Sequence, residues 1–263
     1  MEWQANDLHD LKTAVNLLEN PGLIAKVSDV VGTPIEYVLN KLPQGAGEKI
    51  TRITHKSLMA AVNMAVKTMN PGERRKPRSR SHVALAGLAG GVGGAFGLVA
   101  LPIELPITTT IIMRSIADIA RDEGENLSEV GSRLACLEVF AMGGPSDEDD
   151  AAESGYFAVR TALAQAVSEA AKFVAKRAVL EDGAPVIVRL LAQIATRFNT
   201  VVGEKIMAQG VPIVGALGGA TINVLFIEHF QDMARGHFIV RRLERTYSEV
   251  EVKKAYGEII SNR

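Results

Sequence analysis

A chain of 263 residues that is 47% hydrophobic and 22% charged is globular rather than disordered, and is long enough for one large domain or two small ones. Its net charge of −1 supplies no overall attraction to nucleic acid or anionic lipid, and no nucleic-acid partner is expected. One cysteine, Cys136, excludes an internal disulfide and a multi-thiolate metal site within the chain.

The first residues, "MEWQANDLHDLK", are polar and acidic and lack the apolar core of a secretory signal, so a cytoplasmic protein is expected. Residues 1–20 read as an N-terminal extension of a single domain covering 1–263. Over 45–69 the apolar positions Ile50, Ile53, Leu58, Ala61, Val62, Ala65, Val66 and Met69 recur at helical spacing. Asn70-Pro71-Gly72 is a stop, and residues 70–82 read as an exposed basic linker carrying Arg74, Arg75, Lys76, Arg78 and Arg80.

Residues 83–103 are uncharged and long enough to span a bilayer as a helix. Glycine costs a helix about 1 kcal/mol relative to alanine, so Gly87, Gly90, Gly91, Gly93, Gly94 and Gly97 need a reason. Their four-residue spacing suits close helix packing, in a membrane or in a soluble core. Pro106 suits the first position of a helix reaching about Arg121, with Glu104 near its positive end. The β-branched run Thr108–Ile112 is compatible with a strand, but the spacing of Met113, Ile116, Ile119 and Ala120 favours helix.

Ser128 is placed to cap a helix that ends at Gly143-Gly144-Pro145. Helices are predicted over 156–178 and 186–202, separated by Asp182-Gly183-Ala184-Pro185. A second uncharged run, Ile206–Ile227, leads into a closing helix with Phe238, Ile239, Leu243 and Tyr247 on its apolar side. Helical spacing recurs and alternation does not, so the expected fold class is mainly α: a single-domain helical bundle with two central Gly-rich apolar segments. Asp118-Ile119-Ala120-Arg121 and Asp232-Met233-Ala234-Arg235 form a weak internal echo, each with arginine three residues after aspartate.

"LPIELPITTTIIMRSIADIARDEGENL", "SRLACLEVFAMGG", "VPIVGALGGATIN" and "HFQDMARGHFIVRRLER" resemble the EcsC family, as does the opening "NPGLIAKVSDVVGTPIEYVLNKLP". The resemblance runs from about residue 20 to 257. It implies one continuous unit, and it supplies no catalytic residues to carry over. The family is named after a protein encoded beside an ABC transporter, which implies a membrane transporter as a partner class.

Glu228 and His229 lie four and three residues ahead of Asp232 on one predicted helix. Together with Asp118, or with Glu104, they are candidates for a buried polar cluster or a divalent-metal site. The competing reading is structural ion pairing, with Arg114, Arg121 and Arg235 as partners and with Asp118 and Asp232 buried. No HExxH, Gly-x-Ser-x-Gly or Walker A motif is present, and no cofactor is indicated. The expected function is therefore non-enzymatic: a membrane-proximal accessory or regulatory protein of the EcsC type. Arg74, Arg75, Lys76, Arg78 and Arg80 would contact anionic lipid at the inner face of the cell membrane. The alternative is a metal-dependent enzyme or small-ligand binder using the Asp/Glu/His cluster.

Overall fold

Apolar side chains repeating every three to four residues bury only if the backbone coils into a helix, and the chain folds accordingly. The computed structural model describes residues 3–19, 23, 46–67, 101–142, 155–177, 184–209 and 215–263. Among the described residues the secondary structure is helical, without strands: α1 (Ala5–Leu18), α2 (Ala46–Lys67), α3 (Leu101–Asp122), α4 (Val130–Glu138), α5 (Gly155–Arg177), α6 (Pro185–Gln209), α7 (Gly215–Tyr247) and α8 (Glu249–Ser261). A short 3-10 turn, Val139–Ala141, follows α4. The basic linker residues Arg74, Arg75, Lys76, Arg78 and Arg80 and the glycines 87–97 lie outside the described residues.

The long helix α7 is the axis of the bundle. It packs against α1, α3, α6 and α8, while α2 packs against α3 and α6, and α5 against α4 and α6. Phe226, Phe230, Phe238, Val240 and Leu243 are fully enclosed along it. An aromatic knot ties the 3-10 turn, α6 and α7 together. Phe140 lies 5.2 Å from Phe198 and 5.4 Å from Phe230, ring centre to ring centre, and Phe226 lies 5.2 Å from Phe230. Offset and edge-on pairs of this kind add to simple burial.

The structure moves several predicted boundaries. Residues 5–18, set apart from sequence as an extension, form α1, whose Leu11, Ala14 and Val15 are in the core. Pro106 lies inside α3 rather than at its start. A proline within the early turns removes one amide donor, and tertiary packing of Leu101 and Leu105, both buried, carries the helix past it. Ser128 does not cap α4. Its hydroxyl donates instead to Asn126 Oδ1 at 2.7 Å, and Glu129 occupies the cap position. The first residues of the second uncharged run finish α6 and its last ones open α7, with residues 210–214 outside the described residues. The charged tail beyond Tyr247 is a separate helix, α8.

Candidate functional site

The C-terminal half of α7 carries Arg241, Arg242, Glu244 and Arg245. Successive helical residues are turned about 100° apart, so these side chains reach different neighbours. Their main acceptor on one side is Glu125, whose position follows from Gly124. At a φ of 81° Gly124 ends α3, donating to Arg121 O at 3.0 Å while Glu125 N–H donates back to Ala120 O at 2.9 Å. This left-handed stop turns Glu125 inward. Its carboxylate accepts from Arg241 at 2.9 and 3.2 Å, from Ser132 Oγ at 2.6 Å and from Arg245. Burial alone would raise the Glu125 pKa, but the hydrogen bonds of Arg241 and Ser132 and the charges of Arg241 and Arg245 prevail and hold it below the usual value.

Arg242 gathers a second set. It donates to Glu123 at 2.8 Å, Asp7 at 3.2 Å and Asp10 at 2.5 Å, joining α1 to the end of α3. Tyr247 donates to Asp7 at 2.7 Å, and its ring stacks on Trp3 with centres 4.3 Å apart. Towards α5, Glu244 accepts from Arg160 at 2.5 and 3.1 Å. Arg160 also donates to the Tyr156 hydroxyl at 3.4 Å, and that hydroxyl shares a hydrogen bond with His237 Nδ1, 3.0 Å away. Burial, then the nearby Arg160 and Arg241, hold His237 neutral, well below its ordinary value. Glu138 is enclosed in the same interior, and burial raises its pKa despite Arg241 and Arg160.

A buried ion pair lies away from this cluster, between α3 and α6. Lys205 Nζ on α6 donates to Glu104 Oε1 on α3 at 2.6 Å, with side chains 0% and 4% exposed. The ammonium also lies 4.7 Å from the centre of the Phe226 ring. Burial lowers the Lys205 pKa, against the charge and hydrogen bond of Glu104. One residue before Glu104 and three after it the surface changes: Ile103 is 72% and Ile107 49% exposed, on consecutive turns of one face. The stretch Pro185–Ala208 of α6 is long and apolar enough to cross a membrane by length and composition, and 44% of its most apolar window is buried within the protein. Core helices of soluble proteins share those properties.

The model of the EcsC protein family matches residues 5–243. The chain belongs to the EcsC family. No curated protein and no solved structure matches it. The match takes in α1, in keeping with that helix's place in the core.

In this EcsC protein the residues singled out from sequence are only partly brought together. Asp118 accepts from Arg121 at 2.8 Å and Asp232 from Arg235 at 3.1 Å, the predicted intrahelical pairs. Neither aspartate is buried as expected: their side chains are 18% and 24% exposed, at the rim where pairs contribute about 0–1 kcal/mol. Glu228 and Arg114 face solvent, whereas His229 is enclosed. Adjacent residues on a helix point in different directions, so Glu228 and His229 do not converge. Among the described residues no three His, Cys, Asp or Glu side chains are grouped to hold a metal ion. The residues that do converge, Glu125, Glu138, Tyr156, Arg160, Arg241 and Glu244, were largely missed. A usable signal existed in "RDEGENL", where glycine after a polar helix end marks a left-handed stop. None existed for the pairing of Lys205 with Glu104.

Proposed function

We propose that this EcsC protein is a non-enzymatic accessory protein that works at the inner face of the cell membrane, meeting anionic lipid with the exposed apolar face of α3. The observation that carries the reading is the exposure of Ile103 and Ile107 on one face of α3, at the end of an uncharged stretch of span length. Inserting an isoleucine into lipid contributes roughly 1–2 kcal/mol. Two such side chains give only reversible binding, so the basic run Arg74–Arg80 supplies the second attraction. The ion-paired end, with its arginines committed to internal carboxylates, serves the fold rather than lipid. The partner class that the family resemblance suggests is a membrane transporter.

Flotation of the full chain with phosphatidylglycerol vesicles tests the reading. The double variant Ile103→Ser, Ile107→Ser is expected to leave the vesicle fraction while keeping the wild-type melting temperature. Equal flotation of variant and wild type would overturn it.

A further inference from the structure

The polar atoms around the buried ion pair are not all accounted for. Glu104 spends one carboxylate oxygen on Lys205, and its other oxygen, Oε2, is buried and has no hydrogen-bond partner among the described residues. One turn along α3, Thr108 is wholly enclosed and its hydroxyl has no partner either. That hydroxyl departs from a local habit. A threonine or serine inside a helix commonly donates to the carbonyl four residues back, and the next two residues do so: Thr109 to Leu105 O at 2.7 Å and Thr110 to Pro106 O at 2.8 Å. On the neighbouring α2, Ser57 does the same to Ile53 O at 2.8 Å. Thr108 makes no such bond, and it lies one turn from Glu104 on the same helix face.

Leaving a carboxylate oxygen and a hydroxyl buried without partners is costly, and such pairs of orphans are rare in native interiors. A guest is the physical remedy, and the charges select its kind. An anion is repelled by the orphan carboxylate oxygen. A metal cation is repelled by the Lys205 ammonium, which already occupies the other oxygen of the same carboxylate. What fits is a small neutral group that donates to Glu104 Oε2 and exchanges a hydrogen bond with Thr108. The enclosure of Thr108 and Lys205 limits its size to about one water, and two to four polar partners are what an internal water requires.

We propose that Glu104 Oε2 and Thr108 Oγ1, beside the Lys205 ammonium, bind one long-lived internal water molecule that is part of the folded bundle between α3 and α6. The water completes the hydrogen bonding of the ion pair, and Thr108 is its positioning residue. This site stands apart from the membrane reading above.

The test uses the full chain and the isosteric substitution Thr108→Val, with Thr108→Ser as the variant that keeps the hydroxyl. Oxygen-17 magnetic relaxation dispersion counts long-lived internal waters. The expected result is one fewer in Thr108→Val, with the wild-type count kept in Thr108→Ser. Thermal melting gives a second readout whose sign is decisive. If the hydroxyl holds a water, valine removes a satisfied bond and the melting temperature falls. If the hydroxyl is merely an unsatisfied group in a dry core, valine relieves it and the melting temperature rises. An unchanged water count in Thr108→Val, a rise in its melting temperature, or a wild-type protein with no long-lived internal water each overturns the proposal.

Discussion

Gly236 shows how much one hydrogen atom in place of a methyl decides. A β-carbon built there would sit 2.5 Å from Leu18 Cγ, with both Leu18 methyls at 3.0 and 3.1 Å. In an exposed helix, Gly→Ala gains about 1 kcal/mol. Here overpacking of about 1–3 kcal/mol opposes it, so Gly236→Ala is expected to be net destabilising in urea unfolding. Adding Leu18→Ala should recover part of the loss, giving a non-additive double-mutant cycle. The two enclosed glutamates at the ion-paired end make a contrasting pair. Glu125 has a depressed pKa, so its contribution is present above the ordinary 4.5 and is lost as pH falls through its lower folded value. Glu138 has a raised pKa, so its contribution is full below 4.5 and is lost as pH rises through the raised value. Glu125→Gln is therefore expected to cost about 1–3 kcal/mol at neutral pH, because the partly buried Arg241 and Arg245 lose their charged acceptor. Glu138→Gln should be neutral or stabilising there. Urea midpoints of both variants at neutral and acidic pH check the signs; a destabilised Glu138→Gln would show that the charged form is the one the fold uses.

At the scale of elements, α1 owes its place to both a seam and a clamp. Leu11, Ala14, Val15 and Leu18 form the apolar seam, and Arg242 holds Asp7 and Asp10. The clamp is partly exposed and worth less than its geometry suggests. The expectation for Arg242→Ala is local loosening, read as a roughly tenfold loss of amide protection across α1 in hydrogen exchange, with α6 and α7 unchanged. Uniform loss over all helices would mean that Arg242 supports the whole bundle. The junction of α7 and α8 is a second designed stop. Ser248 takes a φ of 89°, and its side-chain oxygen accepts from Glu251 N–H at 3.5 Å, opening α8. The Ser-Glu-Val-Glu order there is a capping pattern that marks the start of α8 in the sequence itself.

For the molecule as a whole, the near-zero net charge conceals a separation. Arginines at the far end of α7 are bound to internal carboxylates, whereas Arg74, Arg75, Lys76, Arg78 and Arg80 crowd into one short stretch beside an uncharged run. Attraction of such a segment to anionic lipid amounts to about 1 kcal/mol per residue near the surface and is screened within roughly 10 Å at 0.1 M salt. Neutralising all five should abolish flotation with phosphatidylglycerol vesicles, and raised salt should do the same to the wild type. Flotation that ignores both changes would leave the apolar face as the sole anchor.

What the sequence by itself determined is the helical class and the inward faces. The repeat of Tyr156, Val159, Leu163, Val167, Ala170 and Val174, or of Ile187, Leu190, Leu191, Ile194, Phe198 and Val201, is a property of neighbouring residues, and all of these are buried except Val167, which is partly buried against the core. The intrahelical pairs Asp118–Arg121 and Asp232–Arg235 were legible for the same reason, since three residues along a helix is a local distance. Only the tertiary structure decided that those pairs lie at the rim, while Glu125 meets Arg241 and Glu104 meets Lys205 in the interior. Partners separated by more than a hundred residues leave no spacing to read. Their meeting depends on which helix faces which, and that choice belongs to the packing of apolar faces throughout the bundle.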